Sequence, residues 1–182
     1  MAEPAKPTGS EMTESALPLW LRGLRRALDL LAGALLGAAI IVLVLVFCLM
    51  NVEIVSRYFF GVSTLIADEY SGYGFAFVIL AGLVYTHRSG ALLRIDFGLG
   101  VMGRRGRRFS LAAASLASLA LAGFSAYAGY QTWALSLLFN SGSAFASTTP
   151  LWIPQIVMPV GFALLALSFA EEFLSRSYGH GQ

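Results

Sequence analysis

The chain has 182 residues, of which 57% are hydrophobic and 12% are charged, and its formal net charge is +2 at pH 7. A soluble domain usually has about a quarter of its residues charged, and a chain of this size could not hide so much apolar surface from water, so we predict a membrane protein. The single cysteine, Cys48, excludes a disulfide framework and a thiolate metal cluster.

Residues 1–18 are rich in Pro, Glu, Ser and Thr and have no periodic apolar face. This composition predicts a disordered tail. The stretch from Leu30 to Val52 contains no charged residue, and it is long enough to cross a bilayer core of about 30 Å. We therefore predict a first membrane span at about 28–52. We find no small-residue cleavage site, so a secretory signal is disfavoured.

A polar connection then runs from Glu53 to Glu69, and the next apolar run extends from Tyr70 to Thr86. That run is near the lower length limit for a membrane span. It is expected to extend back through Asp68 and Glu69, which would lie at the membrane boundary. The second span is accordingly predicted at about 67–86.

No charged residue occurs from Phe109 to Ala170, a length that predicts two spans rather than one. Turn-forming residues at 140–143 and 148–150 divide it. The predicted spans are about 109–138 and 153–172. The fold prediction is therefore an all-α, four-helix membrane bundle over residues 19–176, with a short C-terminal tail at 177–182.

The arginines are distributed unevenly between the predicted loops. They precede the first span and fill the loop between the second and third spans, whereas the first loop has only Arg57 and the third has none. The positive-inside rule therefore predicts that both termini are cytoplasmic. The arginines of 103–108 are expected to bind anionic lipid headgroups, and this interpretation is favoured over nucleic-acid binding.

Acidic residues near the first loop are candidates for ion pairs or partner contacts. Glu53 and Arg57 are four residues apart in the order that favours a helical ion pair. Asp68 and Glu69 are adjacent, so they point about 100° apart on a helix, and one of them could pair with Arg57. A structural ion-pair network is favoured over a contact for a periplasmic partner, and a cation site formed by this chain alone is the least favoured.

Small residues and prolines suggest how the helices pack. Gly33 and Gly37 form a GxxxG motif in the first span, and Ala114, Ser118, Ala122 and Ala126 recur every four positions in the third. Such residues allow helices to approach closely; packing within this chain is favoured over packing against another subunit. The last span contains Pro154 and Pro159, and we predict a helix kink there, with Pro159 deeper in the helix.

No nucleophile elbow, phosphate-binding loop or metal-protease motif is present. The sequence predicts neither an enzyme nor a cofactor or metal site.

Motifs in a defined order resemble the small membrane subunit of tripartite ATP-independent periplasmic (TRAP) transporters, the DctQ-like family. The central ones are Asn51–Val52, Arg57–Phe60, Asp68–Glu69, Ala81–Gly82, Arg88–Gly90 and Arg94–Phe97. The stretches 150–154 and 158–162 are similar to the Pro-rich entry into the last span of that family. Two positions depart from its pattern: Leu92 replaces a usual histidine, and Ala67 replaces a usual aromatic residue.

This resemblance implies a non-enzymatic scaffold subunit in the inner membrane of a bacterium. Its partners would be a large multi-span permease that holds the sodium and substrate sites, and a periplasmic binding protein for an organic acid such as a dicarboxylate. Arg88, Arg94 and Asp96 would join Glu53, Arg57, Asp68 and Glu69 as docking or structural ion-pair residues.

Two alternatives remain open. One is a self-sufficient small channel or carrier that works as a homo-oligomer, which would need polar residues facing a pore. The other is the small subunit of the tripartite tricarboxylate system, against which the Arg88–Asp96 stretch argues.

Overall fold

A computed structural model describes residues 18–63, 65–91, 103–144 and 147–179. The described residues form four long helices and one short helix, and the prediction of an all-α fold is confirmed. The helices are α1 Leu19–Phe60, α2 Ile66–Arg88, α3 Arg104–Leu138, α4 Trp152–Gln155 and α5 Val157–Gly179. The predicted site residues Arg94 and Asp96 lie outside the described residues, as do the side chains of the arginines in 104–108.

Among the described residues, three segments are long and apolar enough to cross a membrane. They are Leu19–Phe60, Ala112–Leu138 and Trp152–Ser175. Helix α2 has 23 residues, a length of about 35 Å, but it carries acidic residues in its first turn and basic residues in its last and is not among them. The membrane span that we predict at 67–86 therefore stays a prediction.

The buried side chains of α1 follow one another at steps of seven residues, with a single step of four from Leu28 to Ala32, as in helices packed in a left-handed coil. They are Leu21, Leu28, Ala32, Ala39, Val46 and Glu53. This face packs against α2, where Gly74 lies so close to Val46 that a Cβ would overlap the Val46 side chain. Gly33 and Gly37 have open space beside them, so the expectation that they pack within this chain is wrong: they lie outside the seven-residue seam.

Small residues spaced by seven also form the buried face of α3. These residues are Ser115, Ala122, Gly129 and Ser136. A Cβ at Gly129 would lie 3.1 Å from the backbone nitrogen of Pro159 in α5. Of the stripe predicted at a spacing of four, only Ala122 is buried, and Ala114 is exposed, because the packed seam follows the seven-residue repeat.

The long helices form an open row in the order α1, α2, α5, α3. Helix α5 packs against both α2 and α3, and it also touches α1. A small core of Ala32, Val84, Ala122 and Leu165 joins one residue from each long helix. Helices α1 and α3 are at the two edges of the row, so each leaves much of its apolar surface uncovered by this chain.

The last segment is interrupted at Ile156, between α4 and α5. Pro154 is in the short helix, and Pro159 falls in the first turn of α5. Proline is tolerated in a first turn because the N–H groups there have no partner within the helix. The kink that we predict at these prolines stays a prediction.

Candidate functional site

Arg88, the last residue of α2, connects three helices at one end of the molecule. Its side chain is only 6% exposed, and its guanidinium lies 2.6 Å from a Glu171 oxygen of α5 and 2.6 Å from an Asp29 oxygen of α1. It also donates a hydrogen bond of 3.1 Å to the carbonyl oxygen of Arg25. The planar guanidinium has five donors in a fixed geometry, so it can hold partners from several helices at once.

Further polar side chains surround Arg88, and we call the set of Asp29, His87, Arg88, Glu171 and Glu172 the Arg88 cluster. His87 lies 3.6 Å from Glu172, and its ring centroid is 4.1 Å from that of Phe169. An open cleft of about 410 Å³ is bordered by this cluster. The cluster therefore joins the start of α1 to the ends of α2 and α5.

Glu69 occupies the opposite end of α2 and is 4% exposed. Its Oε1 accepts a hydrogen bond of 2.7 Å from the Tyr73 hydroxyl, and its Oε2 accepts one of 2.5 Å from the Ser147 hydroxyl. Ser143 also forms a hydrogen bond with this carboxylate. Glu69 thus connects α2 to the loop between α3 and α4. We call Glu69, Tyr70, Tyr73, Ser143, Ser147 and Thr149 the Glu69 cluster.

The end of α1 carries a second acidic group near this end of the molecule. Glu53 lies 3.3 Å from Arg57 and accepts a hydrogen bond of 2.6 Å from the Ser63 hydroxyl, which also accepts one of 3.0 Å from Arg57. Glu53 is buried, whereas the Arg57 side chain is 58% exposed. Asp68 is exposed and lines an open groove with both.

The contacts of the described residues do not include the pairing of Asp68 or Glu69 with Arg57 that the sequence suggested. Arg57 pairs with Glu53 on its own helix, and Glu69 turns towards hydroxyl groups instead. The two neighbouring acids have separate environments because a helix points them about 100° apart.

The chemistry available at these clusters is that of hydrogen bonds and ion pairs. Within the described part of the chain, no group of three or more His, Cys, Asp or Glu residues could hold a metal ion. Within the described helices, the charged side chains lie towards the helix ends: there are none between Asp29 and Glu53 in α1, or from Tyr70 to Thr86 in α2. A cavity of about 180 Å³ in the middle of the row is lined by apolar residues of α1, α2 and α5, together with Ile156.

Helix α2 therefore has a polar cluster at each end, and the middle of the row is apolar. A family model for the DctQ component of tripartite ATP-independent periplasmic transporters matches residues 46–178. The chain belongs to the DctQ family. No curated protein and no solved structure matches it.

The DctQ match includes most of the residues that the sequence singled out, from Glu53 to Pro159. It starts in the second half of α1, so Asp29 and the arginines before the first span precede it. A DctQ chain is a component of a transporter, and the membrane location of this chain follows from the family and its apolar helices.

The sequence analysis missed several members of the Arg88 cluster and of the Glu69 cluster. Arg88 pairs with Glu171 across 83 positions of sequence, and Ser147 bonds Glu69 across 78. The sequence does show polar residues at the ends of different predicted spans. It does not show which helix ends meet, because that depends on the order of the helices in the bundle.

Proposed function

We propose that this chain is the small scaffold subunit of a sodium-coupled TRAP transporter that imports an organic acid such as a dicarboxylate. It would work beside a large permease subunit, which would hold the sodium and substrate sites, and with a periplasmic binding protein. The observation that most supports this proposal is the family match over residues 46–178.

The distribution of charge supports a scaffold role. Sodium binding inside a membrane needs oxygen ligands, which transporters often supply from interrupted helices at the bilayer midplane. The described middle parts of α1, α2, α3 and α5 have no charged side chain. This chain is therefore proposed to hold its partner in place while the ion and the substrate bind elsewhere.

The open row of helices supports association with a second membrane protein. Exposed large apolar side chains line both edge helices, among them Leu45 and Phe47 of α1 and Leu121 and Phe124 of α3. In a bilayer such faces can meet lipid or another helix, and close helix contacts are driven by packing rather than by the hydrophobic effect. One of the edges is proposed to meet the permease.

Orientation and docking follow from the arginine distribution. Both termini and the Arg88 cluster would lie at the cytoplasmic side of the bacterial inner membrane, with the arginines of 103–108 contacting anionic lipids. Glu53, Arg57, Asp68 and the Glu69 cluster would then lie at the periplasmic side. Arg94 and Asp96 would contribute ion pairs on the cytoplasmic side.

The test is to tag this chain, extract it gently from its native membrane and identify the co-purifying proteins by mass spectrometry. A stoichiometric large membrane protein of many spans is the expected result. A second tagged membrane protein of the same cell is the control for carry-over. If this chain instead ran as a symmetric homo-oligomer and gave flux alone in liposomes, the scaffold function would be wrong and the channel alternative favoured.

A further inference from the structure

The loop between α3 and α4 is folded as a short hairpin, which we call the outer hairpin and define by its described residues 141–144 and 147–151. The Ser143 N–H donates to the Thr149 carbonyl at 2.9 Å, and the Leu151 N–H donates to the Ser141 carbonyl at 2.9 Å. Gly142 and Pro150 therefore face one another. Two backbone hydrogen bonds are too few to keep such an isolated hairpin in one conformation in water.

The backbone conformation of Thr148 is a second reason why the hairpin needs stabilising contacts. Its φ is +48°, a left-handed conformation that is unfavourable for a β-branched residue and persists only when the surroundings impose it. The supporting contacts must come from outside the hairpin backbone, and the Glu69 cluster supplies them.

A directed chain of hydroxyl groups leads from the hairpin to Glu69. The Ser147 hydroxyl donates its single hydrogen to Glu69, so the 2.7 Å contact between Ser147 and Thr149 must have Thr149 as donor. The 3.1 Å contact between Tyr70 and Thr149 then has Tyr70 as donor. Every hydrogen bond in the chain points towards Glu69, which must accept because an ionised carboxylate has no donor.

The surface that results is polar and nearly without charge. The described residues of the hairpin contain only hydroxyl, backbone and apolar groups, and the exposed charges described at this end of the molecule are those of Arg57 and Asp68. A rigid hydrogen-bonding surface of this kind fits a soluble protein partner, whose contacts are made on an ordered backbone at low entropic cost.

We propose that Glu69 is a positioning residue that holds the outer hairpin against α2, and that the ordered hairpin is part of the surface that receives the periplasmic binding protein. The inference rests on the proposed function and assigns one step of it, docking of the binding protein, to this end of the molecule. Glu69 acts through the hairpin and does not touch the partner, since its side chain is buried.

The experiment uses the complete transporter, with this chain, its large subunit and its binding protein, in proteoliposomes. Substrate uptake is measured against the concentration of binding protein for wild type and for Glu69→Gln, whose amide nitrogen cannot accept a hydrogen bond. The expected result is a roughly fivefold rise in the half-saturating concentration of binding protein, the factor for about one lost buried hydrogen bond, with the maximal rate unchanged.

Two further variants make the result specific. Ser147→Ala removes one of the hairpin's two hydrogen bonds to Glu69, leaving that of Ser143. It should shift the half-saturating concentration in the same direction, which also covers the case that Glu69→Gln does not fold. Ser71→Ala is the matched control, because Ser71 is a buried hydroxyl of α2 that bonds only the Asp68 carbonyl in the described contacts, and it should leave the half-saturating concentration unchanged.

Other outcomes overturn the proposal. If both variants leave the half-saturating concentration unchanged in an assembled transporter, the hairpin is not part of the docking surface. If they instead reduce co-purification of the large subunit, the hairpin serves subunit assembly. A wild-type chain that captures no large subunit contradicts the proposed function itself, so the two failures are distinguishable.

Discussion

Arg88 and Glu69 lie at opposite ends of α2, and both are buried. Arg88 is compensated by two carboxylates from other helices, whereas Glu69 is compensated by hydroxyl groups. Removing one partner of a buried ion pair leaves an uncompensated charge, which is much more costly than losing an exposed pair. The two residues therefore differ from Arg57, whose ion pair is largely open to solvent.

Replacement of Arg88 should destabilise the folded chain strongly. In Arg88→Ala the Glu171 carboxylate stays buried without its cation, and we expect a loss of about 3–5 kcal/mol in the free energy of unfolding. Thermal or denaturant unfolding of the purified chain in detergent measures it. Arg57→Ala is the control, with an expected loss of about 0–1 kcal/mol; equal losses in the two variants would contradict the role of the Arg88 cluster.

Between α3 and α5, packing depends on small residues that recur every seven positions. Ala122 and Gly129 lie on this seam, and Gly129 is in direct contact with the start of α5. Gly123 is on the same helix but has nothing within 4 Å. Close packing therefore requires glycine at position 129, whereas position 123 has room for a larger side chain.

A larger side chain at Gly129 should disturb the helix pair. In Gly129→Leu the new side chain meets the Pro159 backbone and Met158, and we expect a destabilisation of about 1–3 kcal/mol, as for an overpacked core. Gly123→Leu is the matched control, and in the isolated chain it should change stability by less than about 0.5 kcal/mol. If Gly123→Leu proved as disruptive as Gly129→Leu, the helix order described here would be wrong.

The molecule as a whole is an open row of helices with charged groups near the helix ends. A subunit of this shape can hold a partner in place, but the described part of the chain has no cluster for a metal ion. Under the proposed scaffold function, changes at its polar ends should affect assembly and docking, not the number of ions transported per substrate.

Under the proposed sodium-coupled function, the coupling ratio should be insensitive to the polar residues of this subunit. We expect Arg57→Ala and Glu69→Ala to lower uptake at limiting binding protein while the number of sodium ions per substrate stays unchanged. Parallel sodium and substrate fluxes in proteoliposomes measure this ratio, with wild type as the reference. A changed ratio in either variant would mean that this chain contributes to the ion site.

The sequence alone determined the membrane class, the all-α fold and the family, because long runs without charge and an ordered set of short motifs are local properties of the chain. It also placed Glu53 and Arg57 together, since residues four apart are neighbours on any helix. Only the tertiary structure decided that α5 packs between α2 and α3, that the small-residue seam repeats every seven residues, and that Arg88 meets Glu171 while Glu69 meets Ser147. These contacts join residues far apart in sequence, and which of them form depends on the order and rotation of whole helices, which no local pattern encodes.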